Sequence, residues 1–547
     1  MKTIKNIKQI IVLLVTALFL SACNDFIEEE IYSDITAESF LDESNADQLI
    51  LGLYNATRGV YKNYNYKFEG TDIFTSQNEV TSTSSGNDYN GFNAPQTSGL
   101  WSANYGVISK ANTAINRYET QIAWSEAKLG EKAYGIAQAR SLRALAFFNL
   151  AQQYGGVVLD LEEPQSISND YTRSTEEQTY TLIISELEAA ISNLEDDPQT
   201  GRLSKRAAQH VLAEVYLTRA YTSFAGGSDF ATAASLAESA IGGYDIRSQS
   251  FAQIFAYDNQ ENDEILFAGQ WDDGFAEDSN NNKHSLFMFG INSTPGVTRN
   301  NQYGKKGNSL MPTPYFYSLF AANDSRDDVT LHRTIIADEA SSLGDDIINV
   351  GDTIIYFPKV ALSIAELTVK LDDYWVYQPD EYLYGRPAPI ADVNYQYVLS
   401  PSFTNFPIMK KFEDEVFQEE GGGARDTFIF RVAGSHLLAA EAHLGAGTSA
   451  SALMHLNIVR ERATGVVDHY ASASLDNILE ERALELIGES NRWTVLKRMG
   501  KLEERINLYN PHVVDHGAFD STKHLLRPIP IKELELSPDT MVQNPKY

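Results

Sequence analysis

Apolar residues return every three or four positions along much of the chain, the spacing that places them on one face of a helix. In KRAAQHVLAEVYLTRAY, Ala208, Val211, Leu212 and Val215 share such a face, and in ATAASLAESAI so do Ala233, Leu236, Ala237 and Ala240. The stretch GIAQARSLRALAFFNLAQQYGG predicts a helix stopped by Gly155-Gly156, with alanines on more than one face. Small residues on several sides let neighbouring helices approach from two directions, as stacked helical hairpins require. Further helices are predicted at about 45–60, 103–120, 175–194, 428–445, 449–463, 475–489 and 491–508.

The helical pattern breaks twice. From about 245 to 427 the text turns to Asn, Asp, Gly, Pro and aromatics, with short strand candidates at DEILFAGQW, SLFMFGI and DTIIYFPKV. A second irregular stretch runs from Tyr61 to Gly99. Polar loops of that length in a compact protein are functional or disordered, and recognition is expected there. AEVYLTRAY followed by ATAASLAESAI is loosely tetratricopeptide-like, but its spacing departs from a regular repeat of about 34 residues. The prediction is a divergent helical-repeat scaffold carrying a loop-rich face.

The first residues read differently. Lys2, Lys5 and Lys8 precede an apolar run from Ile10 to Leu20, which ends in the small residues Ser21 and Ala22. The run is about half the ~20 residues a membrane-spanning helix needs, so residues 1–22 read as a signal peptide. Leu20-Ser21-Ala22-Cys23 resembles the bacterial lipobox. Cys23 is the only cysteine of 547 residues, so it forms no internal disulfide and no cysteine metal cluster, and lipidation is the use expected of it. Residues 23–44 form an acidic tether, in which Asp25 and Glu28-Glu29-Glu30 resemble the export signal of surface lipoproteins in the Bacteroidetes. Acidic side chains outnumber basic ones by 74 to 43, a net charge of −31, which excludes nucleic acid and anionic membrane as ligands. Aromatic residues make up 11% of the chain, too many for general disorder.

Catalytic signals are weak. Glu481, Glu485 and Glu489 share a helix face, but Arg482, Arg492 and Arg498 lie beside them in sequence, which favours a structural helix pair over a glycosidase acid pair. His436 and His443, seven apart, suit one metal poorly, and a core histidine bonded to backbone is expected at His436. No HExxH, G-x-S-x-G or phosphate-loop order occurs. DNQENDE resembles the start of a calcium loop but has Asp263 where glycine is required. No cofactor is expected; the acid count leaves calcium open, with no ligands assignable.

Five segments in order carry a family resemblance: ARSLRALAFFNLAQQYGGVVL, GRLSKRAAQHVLAEVYL, LNIVRERA, ILEERALELIGESNRWTVLKRMGKL and the closing LRPIPIKELELSPDTMVQNPKY. Together they resemble the SusD/RagB outer-membrane lipoproteins of polysaccharide utilisation systems. Val495 and Met499 depart from the usual Asp and Trp of that pattern, both within the helical scaffold. The resemblance implies a mostly α SusD-like domain over residues 45–547, with tetratricopeptide-like scaffold at about 45–60, 100–241 and 428–510 and variable regions at about 61–99 and 245–427. It implies a non-catalytic, outer-membrane, lipid-anchored protein facing the cell exterior. Such a protein captures oligosaccharide or polysaccharide and delivers it to a SusC-like TonB-dependent transporter. The alternatives are a scaffold binding only protein, and a glycoside hydrolase.

Carbohydrate binding needs flat aromatic faces for sugar C–H surfaces, with amides, carboxylates or guanidinium groups for hydroxyls. Trp101 and Asn104 stand near a helix start where SusD-like proteins often present binding residues, although Trp101 equally fits a scaffold tryptophan. Trp271 and Trp375 sit beside Asp and Tyr in segments expected to be exposed, and Asp72 and Tyr89 are further candidates in the first long loop. Trp493 is expected in the core. The acidic chain favours a neutral glycan over a sulfated or uronate-rich one.

Overall fold

The computed structural model describes residues 41–62, 65–76, 89–90, 94–164, 171–272, 283–287, 294–298, 302–303, 310–371, 373–379, 406–416 and 422–547. The signal segment, Cys23 and most of the acidic tether lie outside these residues, and no described helix is long and apolar enough to cross a membrane.

Among the described residues, twelve helices of seven or more residues carry the fold. They are α1 (Asp47–Tyr61), α2 (Ala94–Thr120), α3 (Leu129–Tyr154), α4 (Glu176–Ile191), α5 (Lys205–Arg219), α6 (Asp229–Ile241) and α7 (Ile364–Leu371), then α8 (Val432–Gly445), α9 (Ser449–Thr464), α10 (Leu475–Leu486), α11 (Arg492–Arg498) and α12 (Leu502–Tyr509). From α1 to α6 each helix packs on the next; α6 then packs on α8, and α8 on α9 and α10. This is the stacking that small residues on several faces allow. In α8 every residue from Val432 to Ala442 is buried, which requires a helix apolar nearly all round. The second half of α3 is almost as enclosed and ends at Gly155, whose φ of 75° reverses the chain as its N–H closes on the Ala151 carbonyl.

Starts are as legible as stops. Thr175 caps α4 reciprocally with Gln178, while Ser204, Ser474 and Asn491 accept backbone N–H bonds at the starts of α5, α10 and α11. Three boundaries differ from expectation. The helix predicted at 103 begins at Ala94. Residues Thr427–Arg431 are a strand that precedes α8. The helix predicted over 491–508 is two helices, parted at Gly500 with φ of 65°.

The irregular region contributes short antiparallel pairs: β1 (Phe74–Ser76) with β3 (Leu310–Pro312), β2 (Ile265–Gly269) with β11 (Thr427–Arg431), β4 (Leu331–His332) with β10 (Ile408–Met409), and β6 (Ser341–Leu343) with β7 (Asp346–Ile348). A three-stranded sheet joins β5 (Thr334–Ile336) antiparallel to β8 (Thr353–Tyr356), which runs parallel to β9 (Trp375–Val376). DEILFAGQW and DTIIYFPKV thus contain strands, whereas SLFMFGI begins in a helical turn, Lys283–Leu286, and its end lies outside the described residues.

Two large apolar cores result, one among the helices and one, rich in phenylalanine, among the strands and loops; α10 contributes to both. The closing motif acts as a clasp on the end of α3. Asn544 Nδ2 donates to the carbonyls of Tyr154 and Arg527, and Arg173 donates to Tyr154, Gly156 and Asn544.

Candidate functional site

Five of the sequence-selected binding residues are buried: for Trp375 this corrects the exposure expected of its segment, and Trp101 takes the scaffold place that its position equally allowed. Asp72 accepts from Arg492 Nε at 2.8 Å and Nη2 at 2.6 Å, and from Arg505 Nε at 2.8 Å, so both of its carboxylate oxygens are committed. Burial alone would raise its pKa, but the two guanidinium groups outweigh it and hold the carboxyl below its usual range. Tyr89 is enclosed; its hydroxyl donates to the Gly70 carbonyl at 2.6 Å and its ring meets Phe519 edge-on.

Because α2 begins at Ala94, Trp101 lies about two turns inside the helix and faces α3. It is 3% exposed and packs edge-on against Tyr154, with ring centres 5.0 Å apart. Asn104 is buried on the same side and donates to the Leu100 carbonyl while accepting from Asn149. Trp375 sits on β9, 5% exposed, in the second core, where its strand pairs with β8 and its ring joins a cluster of phenylalanines. Trp493 is buried as expected.

Trp271 differs. It follows β2 at the edge of the helical body and is half-buried. Its backbone N–H donates to Asp426 Oδ1 at 2.9 Å and its Nε1 donates to Thr427 Oγ1 at 3.3 Å. The guanidinium of Arg58, from α1, lies over the ring at 4.4 Å from its centre, a cation–π contact. Arg58 is itself fixed, donating to the Gln270 carbonyl and to Asn55 Oδ1. The indole is therefore oriented from two directions while part of it stays open.

Around it lies a cleft of about 730 Å³ lined by Trp271, Tyr257, Asn259, Gln260, Arg58 and Asp426. Two adjoining hollows, of about 520 and 390 Å³, share Gln270 with it. Each falls in the ~300–1,000 Å³ range of small-ligand sites. Two aromatic rings, side-chain amides, carboxylates and a guanidinium here meet the requirements for holding a sugar. Asp426 adds chemistry of its own. Burial pushes its pKa to about 7; the Trp271 N–H opposes that rise and Glu261 adds to it. Near neutrality it can both donate to and accept from a hydroxyl. A separate internal cavity of about 70 Å³, beside Lys67 and Arg482, has room for a few waters and not for a sugar ring.

Sequence reading selected Trp271 but missed its partners. DNQENDE was informative in its residue types, amides and acids directly after Tyr257, and not as a calcium loop. Arg58 and Asp426 stand far from Trp271 in sequence, and no local signal links them. Glu481 and Glu485 on α10, and Glu489 just beyond its end at Leu486, are locked as a structural role demands, although by partners other than those expected. Glu481 pairs with Arg326 at 2.5 Å, Glu485 with Arg462 at 2.5 Å and Arg431 at 3.1 Å, and Glu489 with Arg431 at 2.6 Å and Lys411 at 2.5 Å. Arg492 instead serves Asp72, and Arg498 serves Glu441 and Glu214.

A stacked-helix body presenting an open, aromatic-and-amide cleft defines a binding protein of the helical-repeat class. Residues 263–547 match the model of the SusD family, and residues 25–217 match one described as starch-binding associating with outer membrane. The chain belongs to the SusD family. It is similar to a SusD-like protein of Bacteroides ovatus, 26% identical over 510 residues, covering 89% of this chain and 81% of that one. In fold it resembles a SusD homolog from Bacteroides thetaiotaomicron, with a TM-score of 0.70 at 19% identity over 92% of this chain and 97% of that one. It also resembles surface glycan-binding protein A from Bacteroides thetaiotaomicron, solved in complex with laminarihexaose, with a TM-score of 0.64 at 16% identity over 92% of this chain and all of that one.

Proposed function

We propose that this protein is a cell-surface lipoprotein, anchored in the outer membrane through Cys23, that holds a neutral oligosaccharide or polysaccharide in the Trp271 cleft. It hands the glycan to a SusC-like TonB-dependent transporter and breaks no bond. The observation that carries the reading is the fixed, half-open indole of Trp271 facing a cleft whose walls are Tyr257, amides and carboxylates. Family membership and the laminarihexaose complex of a related fold support a glycan as the occupant. The chain's charge of −31 supports a neutral one. With two rings and a few polar groups, affinity in the micromolar-to-millimolar range is expected, about −4 to −8 kcal/mol.

The test is affinity electrophoresis of the protein and its Trp271→Ala variant through gels containing laminarin and other neutral glycans, with a reducing-end assay run alongside. Retention that is lost in the variant supports the reading. Equal retention of both proteins moves the site elsewhere, and release of reducing ends would instead make the protein a glycoside hydrolase. Co-purification with a transporter, abolished by Cys23→Ser only where membrane attachment is needed, tests delivery separately.

A further inference from the structure

Away from the cleft, three helices bring together groups that no local motif connects. Glu238 lies in the last turn of α6, His443 in the last turn of α8, and His455 in the second turn of α9. His443 Nε2 is 2.9 Å from Glu238 Oε1, and His455 Nε2 is 3.6 Å from the same oxygen. The two imidazoles are nearly parallel, 10° apart, and one ligand atom from each of the three residues falls within 4.8 Å of the others.

The outer nitrogens are held as well. Thr448 Oγ1 lies 2.8 Å from His443 Nδ1. With the site empty, His443 Nε2–H can donate to Glu238 Oε1 at 2.9 Å; with the proton on Nδ1 instead, where Thr448 Oγ1 can accept it, Nε2 offers its lone pair to a cation. His455 is 4% exposed, and its Nδ1 lies 3.0 Å from Nδ1 of His436. Its Nε2 makes no hydrogen bond. His436 is thus a core histidine bonded to another histidine, and not to backbone as its sequence position suggested.

We propose that Glu238, His443 and His455 bind a zinc-class divalent cation through one carboxylate oxygen and two Nε2 atoms, leaving a fourth position to solvent. Zinc takes nitrogen and oxygen ligands at about 2.0–2.1 Å in a tetrahedron, which places neighbouring ligand atoms about 3.3 Å apart. The observed 2.9 and 3.6 Å bracket that spacing. The Glu238 side chain is 48% exposed, which opens the remaining corner to water. Thr448 and His436 orient the two rings from outside, as partners of metal-bound histidines do. On binding, His455 keeps its proton on Nδ1 and donates to His436. The ion would pin α6 to α8 and α9.

The test titrates zinc into the full chain in detergent after chelator treatment, by calorimetry and thermal unfolding. One equivalent should bind and raise the unfolding temperature by several degrees at saturation. Cobalt(II) should show the visible absorption of a tetrahedral site. Glu238→Gln and His443→Gln should each abolish the specific heat, and Thr448→Val should weaken binding about 10–100-fold. Absence of zinc binding overturns the proposal, as does binding that is undiminished in both Glu238→Gln and His443→Gln.

Discussion

At the seam where α10 lies between the two cores, Arg326, Arg431 and Arg462 face Glu264, Glu481, Glu485 and Glu489, and each charge meets an opposite one. At the edge of β2, Arg58 faces an indole, and the nearby Asp426 and Glu261 border an open cleft. Both regions use arginine, carboxylate and aromatic side chains. They differ in saturation. In the seam, desolvated charges satisfy one another and have nothing left to offer a ligand; breaking one pair strands a charge in the interior. In the cleft, ring faces and polar atoms stay partly solvated and can trade water for sugar hydroxyls. Clustered charge therefore marks a functional site only where its valences remain open.

The largest break in that contrast should come from the seam. Arg431→Met leaves Glu264, Glu485 and Glu489 short of a cation and should cost about 3–5 kcal/mol, read as a lower denaturant midpoint. The seam also carries a pH signature. Burial alone would raise the Glu485 carboxyl, but Arg462, Arg431 and Arg326 lower its pKa from 4.5 to about 2. The folded state thus holds this proton more weakly than the unfolded chain does. The stabilisation is complete above about pH 4.5 and is lost as pH falls toward 2. A Glu485→Gln variant should be destabilised at pH 7 and converge on the parent in acid.

Next in size, Asp72→Asn should cost about 3 kcal/mol by freeing Arg492 and Arg505. The protein that remains folded should still bind glycan, because Asp72 lies outside the cleft. Trp271→Ala should do the reverse, weakening glycan retention at least about tenfold, equivalent to about 1.4 kcal/mol, with little change in melting temperature. The smallest effect is expected from Asp426→Asn. With its folded pKa raised from 3.8 to about 7, Asp426 favours folding most below pH 4, and that contribution fades as pH rises through 7. The amide should remove this slope, so the variant gains stability relative to the parent at pH 8 compared with pH 5. Glycan affinity that changes between pH 6 and 8 in the parent should become flat.

The helical stack was legible before any coordinates because its causes are local. Alanine-rich faces, the capping residues Thr175, Ser204 and Ser474, and the stop at Gly155 act within one or two turns. Partial exposure at Trp271 was legible too, since an indole beside Asp and Gly in an irregular region suggests it. Trp375 carried the same kind of signal and lies inside because β9 pairs with β8, and Trp101, which fitted a scaffold place equally, lies inside because α2 starts earlier than its pattern suggests. Exposure belongs to the neighbours a ring acquires.

Sequence by itself therefore determined the helical scaffold and the family, both of which rest on short-range periodicity and motifs. Tertiary structure alone decided which tryptophan meets solvent, which carboxylates are spent on arginines, and that Glu238, His443 and His455 converge. Those outcomes depend on contacts between residues tens to hundreds of positions apart, and no local pattern encodes such contacts.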